Sequence, residues 1–131
     1  MVENIQILTQ YIKAYEEENQ ELINSFLDTN YKYYPPGGGK SMNREERITD
    51  EKFFFSAFSE IQTTILDTVI QGDKIACRIS MKCRHTGEYQ RIQATNKQII
   101  INYMEILLIK HNKIVEEWAE FDLVAIFNQL K

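Results

Sequence analysis

A change of periodicity near Ile61 governs what this chain can fold into. Before it, apolar residues recur at helical spacing. After it come four long segments rich in β-branched and aromatic residues: IQTTILDTVIQ, KIACRISMKCRH, KQIIINYMEILLIK and KIVEEWAEFD. In the first part, Ile5, Leu8, Ile12 and Tyr15 mark one face of a helix, with Glu16, Glu17 and Glu18 toward solvent. A shorter helix carries Leu22, Ile23, Phe26 and Leu27, and the Pro-Gly stretch after it reads as a loop. A third helix begins near Asn43, where Asn43 and Glu46 have the spacing of a capping box, and runs to about Phe58. Its Phe53, Phe54, Phe55 and Phe58 are too many for one narrow stripe, so burial on more than one side is expected. Gly72-Asp73 and His111-Asn112 sit where tight turns would join neighbouring strands, a longer break falls around Thr86-Gly87-Glu88, and LVAIFNQLK adds one or two helical turns. Helices first and strands later predict an α+β fold, an antiparallel sheet with its helices segregated to one side.

The chain has 131 residues, enough for one domain over 1–131 with a real core. Its net charge of -4 argues against a nucleic-acid partner. No apolar run approaches a bilayer span, and MVENIQ lacks the basic and apolar segments of a signal peptide, so a cytoplasmic protein away from membranes is expected. The stretch YYPPGGGKS ends like a phosphate-binding loop. Yet Tyr34 stands where that motif needs its first glycine, and Pro35 and Pro36 remove two N–H donors, so it reads as a plain loop. Cys77 and Cys83 would lie about 20 Å apart along one strand, too far for a disulfide. Cys83 and His85 alone do not make a metal site.

Alternation in the strand around Ile79 places Cys77, Ile79, Met81, Cys83 and His85 on one face, and Arg78, Lys82 and Arg84 on the other. In KIVEEWAEFD the same rule groups Ile114, Glu116, Trp118, Glu120 and Asp122, opposite Val115, Glu117, Ala119 and Phe121. Carboxylates beside a Trp suit the wall of a partly polar cavity, and a bulge would shift this register.

HTGEY (His85 to Tyr89), ATNK (Ala94 to Lys97), HNKIVEEWAEFD (His111 to Asp122) and the closing IFNQL, preceded by QGDKIACR, together resemble the SnoaL-like polyketide cyclase family. The resemblance covers about the last half of the chain, from Gly72. ATNK and HNK lack glycines that the family places in two turns, and asparagine tolerates the left-handed backbone there. Leu108 stands where members often have Arg or His. The resemblance implies a curved antiparallel sheet wrapped around a cone-shaped cavity closed by N-terminal helices, as in nuclear transport factor. It also implies dimerisation through the exposed sheet face, and a ring-closing intramolecular aldol reaction with neither metal nor organic cofactor. The aspartate matching Asp122 is the acid/base in that family.

Such a base needs burial to raise its basicity, and the enolate it forms needs a donor near the developing oxyanion. Asp122 is therefore the candidate catalytic residue. His85, Tyr103, Glu116, Trp118 and Tyr15 are candidates to line a site for a hydrophobic or aromatic small molecule. Asp122 also stands where the last helix needs an N-cap, and His85 where a strand-end residue would bond a turn. A non-catalytic binding module, or a dimerisation module whose own side chains fill the cavity, stays open beside the enzyme.

Overall fold

A computed structural model describes residues 3–131. Helices α1 (Asn4–Glu16) and α2 (Gln20–Ser25) lead into strand β1 (Leu27–Tyr34); a short 3-10 turn at Pro36–Gly38 and strand β2 (Met42–Asn43) precede helix α3 (Arg44–Ala57). Strands β3 (Phe58–Gln71), β4 (Lys74–His85), β5 (Gln98–Lys110) and β6 (Lys113–Phe121) follow, and helix α4 (Leu123–Gln129) closes the chain. The six strands form one curved, unclosed sheet in the order β2-β1-β6-β5-β4-β3.

The α+β reading holds, with one correction to the sheet. It is mixed, because β1 runs parallel to β6. DTNYKYY has no apolar run to mark it as a buried strand. Its inward row is built from tyrosines instead: Tyr31 and Tyr33 are buried on one face, while Lys32 between them is exposed. Asn43 and Glu46 form the expected capping box at the start of α3. The expectation that this helix is buried on several sides is also corrected, since Phe53 is 70% exposed and the buried positions are Glu51 and Ala57. Part of its inner face lines a cavity, through Arg47, Glu51 and Phe54, while Phe55 and Ala57 meet the core.

Turn chemistry sets the register of the long hairpins. His111 and Asn112 both take positive φ (52° and 64°), the conformation of a two-residue turn that matches strand twist. Gly72 does the same for β3 and β4, with φ 59°. Asn96 (φ 59°) likewise supplies a left-handed residue in the return to β5. Two irregularities in β3, between Ser59 and Gln62 and between Ile65 and Asp67, bend the sheet's long edge.

A third irregularity decides the inner surface. Leu108 faces Glu116 and Ile109 faces Ile114, so Val115 is an extra residue in β6. Beyond it the pleat is inverted relative to simple alternation. The inward row is Ile114, Glu117, Ala119 and Phe121, not the expected Ile114, Glu116, Trp118, Glu120 and Asp122. Trp118 falls on the outer face and stacks flat on Tyr34, with centroids 5.1 Å apart and planes at 8°.

The apolar core forms two clusters. One joins α1, α2 and β1 to the far ends of β4, β5 and β6 through residues such as Leu8, Ile23, Ile75, Leu107 and Ile114. The other sits near α4, around Phe58, Cys83, Ile99 and Ile126, and Tyr103 packs against both. The 86–97 connection is stitched to the end of α3, where Ala57 O accepts from Thr86 N–H at 2.9 Å and Gly87 N–H at 3.0 Å. A Cβ on Gly87 would lie 1.9 Å from Ser56 O, a backbone atom that cannot swing away. Gly87→Ala should therefore cost about 2–3 kcal/mol in urea unfolding. Gly72→Ala, strained in φ but with no atom within 4 Å, should cost only about 1 kcal/mol.

Candidate functional site

Between α3, the sheet and the loop after Tyr34 lies a cavity of about 540 Å³. Its apolar side is formed by residues such as Met81, Ile101, Phe121 and Ile126, and its polar side by Arg47, Glu51, Tyr103, Glu105 and Glu117. Glu105 alternates along β5 with Tyr103 and Leu107 and so points inward. Leu107 faces Glu117 across the strand pair, which makes Glu105 and Glu117 diagonal neighbours on one face, within side-chain reach. Glu51 comes down from α3, one turn beyond Arg47.

Glu117 is the hub. Its Oε1 accepts from the hydroxyls of Tyr11 at 2.8 Å and Tyr31 at 2.7 Å. Glu51 Oε2 accepts from Tyr15 Oη, and Tyr15 Oη lies 3.3 Å from both Tyr11 Oη and Arg47 Nη2. Arg47 pairs with Asp50 at 2.8 Å and lies 3.9 Å above the centre of the Tyr33 ring.

Burial shapes the proton inventory. Desolvation, reinforced by the Glu117 charge, pushes the Glu51 carboxyl up to about 9. Desolvation also holds the Glu105 carboxyl well above the ordinary range, helped by the charge of Glu117 and a hydrogen bond with it; Arg47 works in the opposite direction. Burial and the neighbouring carboxylates raise the Tyr11, Tyr31 and Tyr103 hydroxyls, which remain donors. The Oε1 atoms of Glu51 and Glu105 are buried with no protein partner. The cavity therefore presents carboxylic acids and phenols able to donate to an oxygen or to exchange a proton with a bound molecule.

Of the residues singled out from the sequence, Tyr15 and Tyr103 line this cavity. The other four lie elsewhere. His85 is fully buried at the end of β4, where its Nδ1 accepts from Thr95 N–H at 3.1 Å and bonds Thr95 Oγ1 at 3.0 Å; burial lowers its pKa. Glu116 accepts from Tyr34 Oη at 3.0 Å beside Trp118 on the outer face. Asp122 is exposed and caps α4, its Oδ1 accepting from Val124 N–H at 2.9 Å and Ala125 N–H at 3.2 Å. Glu105 was legible as the one carboxyl on the inward side of an apolar strand. Glu117 was hidden by the extra residue at Val115, and Arg47 and Glu51 by a helix read as plain packing.

A family model described as SnoaL-like polyketide cyclase matches residues 5–130, and the chain belongs to that family. Among solved structures it is similar to AclR of Streptomyces galilaeus, a candidate hydroxylase. The TM-score is 0.89 at 17% identity over 97% of this chain and 94% of that one. It is also similar to IdmH of Streptomyces antibioticus, a candidate polyketide cyclase, with TM-score 0.87, 20% identity and coverage of 98% and 99%. TsrD of Streptomyces laurentii gives 0.83, 22%, and coverage of 99% and 98%. At these identities the likeness is one of fold. No curated protein matches the chain. No helix among the described residues is long and apolar enough to cross a membrane.

The buried acids make stability depend on pH with a definite sign. Folded, Glu51 keeps its proton up to about pH 9, whereas an ordinary glutamate loses it near 4.5. Between those values the folded state binds more protons than the unfolded one, so unfolding free energy falls as pH rises. The slope should reach at most about 1.4 kcal/mol per pH unit for this proton. Urea unfolding at pH 5, 7 and 9 should show the decline, and Glu51→Gln should flatten it.

Proposed function

We propose that this chain is a cofactor-independent acid/base enzyme, and that Glu105, working with Glu117, moves the proton. The reaction class is enolisation of a hydrophobic or aromatic carbonyl compound, followed by aldol-type ring closure or by isomerisation. The observation that carries the reading is the diagonal Glu105–Glu117 pair in the cavity, with one Glu105 oxygen unpartnered.

Burial, reinforced by the neighbouring Glu117 charge, raises the proton affinity of Glu105. Once its own proton has passed to solvent, Glu105 is a carboxylate of raised basicity. It takes the proton from the carbon next to the substrate carbonyl, and the electrons of that C–H bond pass into the enolate. In this reading Tyr103 beside it and the acid of Glu51, both lining the cavity, donate to the enolate oxygen. In ring closure the enolate carbon attacks a second carbonyl of the same molecule, and the alkoxide takes the proton back from Glu105. In isomerisation the proton returns to a different carbon. Asp122, as the exposed cap of α4, serves stability in this reading.

The protein also works as a homodimer through the outer face. Val69, Ala76, Ile106, Trp118 and Tyr34 stand side by side across five strands. Val69 is 69% exposed, Met104 58%, Ile100 49% and Ile106 41%. Such a continuous apolar surface suits a protein interface.

Two measurements check this. NMR of aromatic 1,3-dicarbonyl compounds in D₂O should show deuterium entering the acidic carbon, or a cyclised product, at a catalysed rate. Glu105→Gln should lower kcat/KM by about 10²–10⁴. Asp122→Asn should keep kcat within a few-fold while losing no more than about 1 kcal/mol of stability. Turnover abolished by Asp122→Asn and untouched by Glu105→Gln would reverse the assignment, and tight binding without turnover in any assay would leave a binding protein. For the dimer, Ile106→Lys should shift the mass measured by light scattering from two chains to one.

A further inference from the structure

Among the described residues, five carboxyl groups line the cavity against two guanidinium groups. One of the two, Arg91, belongs to the 86–97 connection together with Glu88, another of the five carboxyls. The other, Arg47, is engaged by Asp50 at 2.8 Å and seated on the Tyr33 ring, and its 3.8 Å approach to Glu51 is on the α3 side. Among the described residues no cation lies within ion-pair distance of Glu105 or Glu117, although the Arg47 charge acts on Glu105 through space. Glu105 is 5% exposed and Glu51 1%, yet the Oε1 atom of each is buried without a partner. Empty, the cavity tolerates the excess by retaining protons on these two groups. The rings of Tyr33, Phe54, Tyr103 and Phe121 complete the wall, and aromatic faces attract a desolvated cation.

Building on the ligand cavity argued above, we infer that its ligand carries a basic nitrogen, bound as an ammonium between the Glu105–Glu117 pair and the aromatic wall. An ammonium N–H donates to the unpartnered Glu105 oxygen, and its charge offsets the carboxyl excess that the protein itself does not neutralise. Binding then displaces the proton held by Glu105 into solvent. The groups that set this exchange face Glu105 from every side. They are Glu117 from β6, Arg47 and Glu51 from α3, Cys77 from β4, Tyr33 from β1, and Tyr103 on its own strand.

The test compares 2-phenylethylamine with 2-phenylethanol, nearly the same in shape but differing in charge. Titration calorimetry would be run at pH 7 and 8.5 in buffers of different ionisation enthalpy. The amine should bind at least tenfold tighter than the alcohol, release a fraction of a proton at pH 7, and gain affinity at pH 8.5. Glu105→Gln should reduce the ratio of amine to alcohol affinity at least tenfold. Glu51→Gln, whose fold is checked by circular dichroism, should reduce it less. Equal binding of the two probes, or tighter binding of the alcohol, would overturn the basic-nitrogen inference and leave the cavity reading standing. Failure of both probes to bind at millimolar concentration would overturn the two together.

Discussion

The clasp on Glu117 is the interaction on which the rest of this structure depends. One carboxylate oxygen takes hydroxyls from Tyr11 on α1 and Tyr31 on β1, and so joins the first helix, the parallel strand and β6 at one buried point. A carboxyl taken out of water must be hydrogen-bonded or lose its charge. Two phenols meet that demand here and spend their own donors in doing so. The result is a rigid polar floor beneath α1 and α3, with the neighbouring Glu105 left to hold the remaining proton.

From that floor the cavity divides into two chemical halves. Toward α4 its wall is Met81, Ile101, Phe121 and Ile126, which offer dispersion and no directional bonds. Toward α1 and α3 it is tyrosine, arginine and glutamate, linked by a chain of contacts from Tyr11 through Tyr15 to Glu51 and Arg47. Low polarisability on one side strengthens every electrostatic contact on the other. An apolar ring system and a polar reacting end would be oriented by this asymmetry alone. Arg47 also explains why α3 has so few buried apolar residues: part of its inner face is given over to the site.

Much of the fold was legible in the chain, and the site was legible only in part. The capping box at Asn43, the turns at Gly72-Asp73 and His111-Asn112, and the alternation of Cys77, Ile79, Met81, Cys83 and His85 are local signals, and each appears in the structure. β1 was missed because its inward positions are tyrosines, which look polar until Tyr31 bonds Glu117 and the Tyr33 ring seats Arg47. Trp118 and Glu116 were assigned inward by strict alternation, and one additional residue at Val115 moved them out. Asp122 carried two local readings, and its bonds to Val124 and Ala125 place it as a cap.

What the sequence by itself determined is therefore what neighbours in the chain can decide: helix starts, strand periods, turn positions, and through several spaced motifs the family. Tertiary structure alone decided which carboxylates meet. Glu51, Glu105 and Glu117 are scattered over a helix and two strands, and their proximity follows from a strand pairing and one extra residue. Their proton affinities follow in turn from burial by parts of the chain up to 106 residues away, as the bond from Tyr11 to Glu117 illustrates. Charge in a low-dielectric interior answers to distance in space, and that distance is set by the packed fold.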